Sequence, residues 1–240
     1  MKKLDWKLII IIVLAIIVVI EGIFLLKNNF NDKQLITKEK SLIYTNSNIV
    51  SKVSNDIDVD YSIYNNGKSL LLKLTSLEKN IMTSNINITF KNDDNKIIDT
   101  FTTPTGFLVK DDIYAVNVSV PTITDGYAGD IEITITPTYL DEETMFYDKS
   151  LIKLNHTEIN NENNSITMNI TGINPFEGDI SMIQGLIILS NNQKIVQVAN
   201  YSQNNITSGE SININVSIPS GENGEVLAFD NVEIIINELY

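Results

Sequence analysis

The segment Val116-Asn117-Val118-Ser119-Val120-Pro121 returns at a spacing of 98 as Ile214-Asn215-Val216-Ser217-Ile218-Pro219. The same spacing brings Asn95-Lys96-Ile97-Ile98 onto Gln193-Lys194-Ile195-Val196, and Ile88-Thr89-Phe90 onto Leu186-Ile187-Ile188. Ser69 to Thr75 lines up with Ser165 to Thr171 at a spacing of 96, and Ile131-Glu132-Ile133 with Val232-Glu233-Ile234 at 101. Matches kept in one order with small changes of spacing are what loop insertions between fixed strands leave behind. The chain therefore reads as two copies of one unit, 50–140 and 146–240, joined by a short acidic stretch around Asp141-Glu142-Glu143. No other feature constrains the fold as much, because whatever one copy forms, the other must form as well.

The pattern inside each copy has period two. Ile131, Ile133 and Ile135 alternate with Glu132, Thr134 and Thr136, and Ile212, Ile214, Val216 and Ile218 alternate with Ser211, Asn213, Asn215 and Ser217. Such alternation puts one set of side chains on a core and the other in water. Turn formers separate the runs: Asn65-Asn66-Gly67, Asn92-Asp93-Asp94-Asn95, Asp125-Gly126, Asn191-Asn192 and Glu222-Asn223-Gly224. Pro121 and Pro219 close strands. No long amphipathic helical pattern occurs in the body. About seven short strands per ~95 residues, with one face wet, predict an all-β fold of two tandem antiparallel Ig-like β-sandwich domains. The succession of a strand, a polar hairpin such as Asn92 to Asn95, a Lys-Ile-Ile strand and a strand ending in Val-Pro resembles the small Ig-like modules of prokaryotic surface proteins, of the FxLYD or CARDB type. The Phe-x-Leu-Tyr signature is absent. The resemblance implies a binding or spacer module and brings no active-site residues with it.

Ahead of the repeats, Leu8 to Leu26 is a nineteen-residue apolar run broken by one charge, Glu21. At ~1.5 Å per helical residue it approaches the ~30 Å hydrocarbon core of a bilayer. Lys2, Lys3 and Lys7 precede it, and Glu21-Gly22-Ile23-Phe24-Leu25-Leu26-Lys27 offers no small-residue cleavage site. The expectation is an N-terminal transmembrane signal anchor over 1–27, held in membrane lipid, and a polar tether over 28–49. The lysines on the two flanks nearly balance, so the short N-terminal tail decides orientation: N-terminus cytoplasmic, body extracytoplasmic. Two readings of Glu21 stay open, a residue close enough to the outer end to reach headgroup water and an intramembrane contact for a partner helix.

Composition removes several functions. The chain has no cysteine, hence no disulfide framework, thiol nucleophile or Cys-based zinc site. All seventeen basic residues are Lys, so no guanidinium fork is available to grip phosphate or carboxylate. Four of those lysines and two of the thirty acids lie in the first 27 residues, which leaves the remainder with 13 Lys against 28 Asp and Glu, a net of −15. A body so acidic repels nucleic acid and leaves cations, basic proteins and neutral glycans as partners.

Individual residues add little chemistry. His156, the only histidine, has no G-x-S-x-G or S-x-x-K context and reads as a surface residue on a strand or its turn. No glycine pattern forms a phosphate loop, and no cofactor is implied. Asp56, Asp58 and Asp60 fail the calcium-loop pattern, since Tyr61 and Gly67 stand where Gly and Glu are needed. Period two places the three on one side of a strand, either as a wet acidic face or as weak Ca²⁺ ligands, with Asp93, Asp94, Asp111 and Asp112 as a second possibility. Of eight N-x-S/T sequons, those at Asn87, Asn117, Asn169 and Asn215 occupy the outward set of their strands. They fit glycan acceptors and equally fit ordinary polar strand faces. The expected function is non-enzymatic: a single-pass cell-surface protein for adhesion, contact with an envelope protein or glycan, or spacing. The alternative is an accessory subunit of a membrane complex, joined through the anchor helix and tether.

Overall fold

A computed structural model describes residues 40–140, 147–160, 165–219 and 227–240. The expected anchor, with Glu21, lies outside them, as do the Asp141-Glu142-Glu143 link and the Glu222-Asn223-Gly224 turn. Among the described residues, no helix is long and apolar enough to cross a membrane. Among the described residues strands dominate, with three single 3-10 turns as the helical elements. The fold is all-β.

The first half contains β1 (Ile49–Lys52), β2 (Ile57–Tyr64), β3 (Ser69–Ser76), β4 (Ile81–Asn92), β5 (Ile97–Pro104), β6 (Ile113–Ser119) and β7 (Ala128–Tyr139). They form two sheets, β1-β7-β4-β5 and β2-β3-β6. Leu70, Leu72 and Leu74 of β3 meet Ile86, Ile88 and Phe90 of β4 and Ile131, Ile133 and Ile135 of β7 in one core. Each such buried side chain contributes about 1.5–3 kcal/mol relative to exposure.

The second half repeats the arrangement with β8 (Asn155–Asn160), β9 (Ile166–Ile173), β10 (Ile180–Asn191), β11 (Lys194–Ile206), β12 (Ser211–Ile218) and β13 (Asn231–Leu239). Its sheets are β11-β10-β13 and β12-β9-β8, so each strand after β1 has a counterpart in the same place. The sequence matches fall on these counterparts, and four of the five also keep the side chains in phase. The fifth is displaced by one residue. Ile88 pairs with Ile133 on β7, and it is Ile187 that pairs with Ile234 on β13. Ile187, not Leu186, is therefore the equivalent of Ile88. A slip of one exchanges the two faces of a strand, and here it concealed which side of β10 faces the core.

The halves do not stand apart. Ser41–Tyr240 is a single compact unit. A third cluster joins Tyr64, Leu71 and Ala115, on the outer face of β2-β3-β6, to Leu186, Ile188 and Ile235, on the outer face of β11-β10-β13. Shared cores thus stack four sheets in the order β1-β7-β4-β5, β2-β3-β6, β11-β10-β13, β12-β9-β8. Strands covered on both faces lose their alternation. That explains Leu70-Leu71-Leu72 in β3 and Leu186-Ile187-Ile188-Leu189 in β10, all buried.

Two details depart from the sequence boundaries. The body begins before residue 50: Tyr44 is buried in the first core, meets Phe90 edge-on at 5.7 Å and donates from its hydroxyl to the Lys91 carbonyl at 2.7 Å. Ordering that aromatic ring against the core fixes the chain that follows it. And β1, which the tether reading left partly outside, pairs with β7 in parallel, Ile49 opposite Ile131 and Lys52 opposite Thr134, the one departure from an antiparallel set among the described residues.

The asparagine-rich turns are used for their backbone. Asn65, Asn66 and Gly67 are all left-handed, with φ of 52°, 53° and 82°, and Asn95, Asn192 and Gly126 likewise have positive φ. Asn tolerates this region because its short amide bonds locally.

Candidate functional site

Side-chain hydrogen bonds and ion pairs bridge the seam between the halves. On β13, a register shift between Gln184 and Gly185 leaves Asn237 as an extra residue. Its amide acts as a substitute strand: Ala115 N donates to Asn237 Oδ1 at 2.9 Å, and Asn237 Nδ2 donates to the Ala115 carbonyl at 2.8 Å. Both polar groups of Ala115 therefore point away from β3, and the open edge of β6 is satisfied there. Gly185 permits the bulge. A Cβ at this position would lie 1.8 Å from the Ile235 carbonyl oxygen, which also accepts a hydrogen bond from the Tyr201 hydroxyl at 3.1 Å.

Around this bulge sit the charged groups. Lys73 of β3 pairs with Glu233 of β13 at 2.5 Å at the rim. Glu238 accepts from the Tyr114 hydroxyl (3.3 Å), the Tyr240 hydroxyl (2.9 Å) and the Gln184 amide (2.5 Å). Burial, reinforced by the Glu238 charge, pushes the Tyr114 phenol well above its ordinary range. Lys149 enters from the 3-10 turn Lys149–Leu151, whose start is fixed by Ser150 N donating to the Asp148 carboxylate at 3.0 Å. Its ammonium is buried. It donates to the carbonyls of Phe107 (3.4 Å) and Asn237 (3.2 Å) and lies 3.2 Å from Asp112 Oδ2. Burial lowers the Lys149 pKa, and the Asp112 and Glu238 charges oppose that shift.

Beside the seam, the outer edge of β13 has no strand partner among the described residues. Two adjoining hollows of about 350 and 420 Å³ run along it, walled on the far side by 149–156. In the first half the equivalent edge, on β7, is covered by β1. The facing strand also differs. Val59 and Tyr61 of β2 point to the core opposite Leu74 and Leu72. Their counterparts on β8 are His156 and Glu158, opposite Ile170 and Met168, and both are exposed. Inward polar residues on an edge strand are a usual guard against uncontrolled strand addition.

The residues singled out from sequence are scattered. Asp56 accepts from the Tyr139 hydroxyl at 2.7 Å and lies 3.6 Å from Lys79, and these partners hold its carboxyl below the usual range. Asp58 and Asp60 are exposed on β2, and Asp60 borders the seam with Lys73 and Glu233. Asp93 receives the Tyr127 amide, while Asp112 belongs to the Lys149 contact. Among the described residues no group of three His, Asp or Glu is arranged to hold a metal. Asn87, on the outer face of β4, accepts from Thr102 at 2.8 Å. Asn117 accepts from the Tyr64 hydroxyl at 2.8 Å. Asn169 Nδ2 donates to both Asn213 and Asn215 at 2.8 Å on the outer face of β12-β9-β8. His156 lies on the rim of the β13 groove.

Sequence reasoning missed Lys149, Asn237 and Glu238. The signal available was the break in pattern at Ile234-Ile235-Ile236-Asn237-Glu238, where an apolar run on both faces turns abruptly polar. Comparison of the chain with models of known protein families, and with curated proteins, finds no match.

Proposed function

We propose that the chain is a non-enzymatic, single-pass membrane-anchored cell-surface protein in which two Ig-like modules act as one stiff arm for adhesion, envelope contact or spacing. Residues 1–27 are the anchor, with the N-terminus cytoplasmic and the body outside. The observation that carries the reading is a nineteen-residue apolar run attached to a compact all-β body whose polar clusters bond strand to strand. The Lys149, Glu238 and Asn237 groups are each engaged by protein partners, as structural polar groups are. The Ig-like reading is supported by the strand order β2-β3-β6 facing β7-β4-β5 and its repetition.

Contact with an envelope protein is supported best at the outer edge of β13. The equivalent edge in the first half accepts a parallel strand, so the occupant is an extended polypeptide segment adding to the sheet. The full-length chain, expressed in its native host, is tested by carbonate washing of membranes and by protease treatment of intact cells. Retention in the washed membrane with a body cleaved from outside is expected. A chain released by carbonate, or protected from external protease, would sink the reading.

A further inference from the structure

We propose that Lys149 and Asp112 join covalently, through an amide bond between Nζ and Cγ formed with loss of water, and so fasten the two halves across the seam. The pair is held in place by rigid backbone on both sides. Asp112 N donates to the Val109 carbonyl at 3.0 Å and Asp111 N to the Ser76 carbonyl at 2.7 Å, in a turn where Asp111 is left-handed. Lys149 sits in the 3-10 turn capped by Asp148. Nζ and Oδ2 are 3.2 Å apart, and the side chains are only 8% and 18% exposed. Fixed proximity of this kind removes most of the entropic barrier to a reaction between two groups.

The directions of the contacts are those of an amine facing an acyl carbon. Asp112 Oδ2 is buried yet takes no hydrogen bond in good geometry, although Nζ is close. The directed bonds from Nζ go to the carbonyls of Phe107 and Asn237. A neutral amine has two N–H groups and one lone pair. With both hydrogens on those carbonyls, the lone pair is left for the side where Asp112 lies. Burial favours the neutral form of the Lys149 amine over the charged one.

The reaction balances without a further reagent. The ammonium passes a proton to the carboxylate, giving an amine and a carboxylic acid. The nitrogen lone pair forms the N–Cγ bond, and one C–O bond breaks. The oxygen leaves as water, carrying the proton of the acid and one proton from nitrogen. A void of about 20 Å³ beside Lys149, lined also by Tyr147 and Glu238, has room for a water. The proposal holds whether or not the chain is anchored in a membrane.

Intact mass of the purified full-length chain tests it. The wild type is expected to be one water lighter than its sequence, with digestion yielding a branched peptide that contains both Lys149 and Asp112. Lys149→Arg and Asp112→Ala are expected at full sequence mass, a readout that does not depend on their folding. A wild type at full sequence mass overturns the proposal. A water loss that persists in Lys149→Arg overturns it too, since dehydration of an Asp elsewhere would then be its source.

Discussion

Leu71 decides whether this body is one cooperative unit or two beads in series. It is 2% exposed, on the face of β3 turned away from the first core, and packs with Tyr64, Ala115, Leu186, Ile188 and Ile235. Leu71→Ala removes most of a buried side chain between two sheets that cannot close up freely, because each is also bound to its own core. Large-to-small changes of this type cost about 2–5 kcal/mol, the transfer loss plus the cavity left behind. The hydrogen bonds of Asn237 to Ala115 keep the sheets at their spacing, so the lower end of that range is not expected and the cost is about 3–4 kcal/mol. Ile188→Ala, in the same cluster, costs a similar amount. The double variant loses less than the sum, because both open one cavity. Scanning calorimetry and urea unfolding check this. The wild type is expected to melt in a single transition with calorimetric and van't Hoff enthalpies in agreement, and the double variant to split into two. A wild type that already melts in two steps, with Leu71→Ala costing under about 1 kcal/mol, would refute the coupling that this seam implies.

Three other outcomes follow from the same contacts. Gly185→Ala brings a Cβ into the Ile235 carbonyl and the Tyr201 hydroxyl, so it should destabilise by at least the ~1–3 kcal/mol typical of overpacking, read by urea midpoint. Tyr114 and Tyr201 are buried with raised pKa values. Their contribution is complete below the unfolded value of 10.0 and is lost as pH climbs toward the folded values, so stability falls above about pH 10. Lys149, with a lowered pKa, works in the opposite sense while it is a free amine; tyrosinate absorbance that rises together with unfolding, not before it, is the expected observation. Asp56 is committed to Tyr139 and Lys79, so millimolar Ca²⁺ is expected to leave the melting temperature unchanged; a clear rise would place a cation on that face.

The alternating strands and asparagine turns were legible because period two and positive φ act locally. β1 was not, since four residues without a partner in sequence carry no periodicity of their own. The Lys149–Asp112 contact was also hidden, because nothing local distinguishes a lysine destined for a seam from one destined for solvent. What sequence could have revealed is how the copies face each other. Leu71 on β3 corresponds to Thr167 on β9, and Leu186 and Ile188 on β10 correspond to Asn87 and Thr89 on β4. Each copy thus greases one outer face and keeps the other polar, and they choose opposite faces. The first half offers β2-β3-β6, the second β11-β10-β13. Unlike faces meeting in this way make a heterologous contact, which in principle could be extended by further copies. The remaining outer faces of the two copies are wet: Asn87 and Thr102 at one end, Asn169, Asn213 and Asn215 at the other. Such polar caps are what a stack of repeats needs at its ends. The sequons at Asn87, Asn169 and Asn215 then have a structural reason to be rich in asparagine, independent of any glycan.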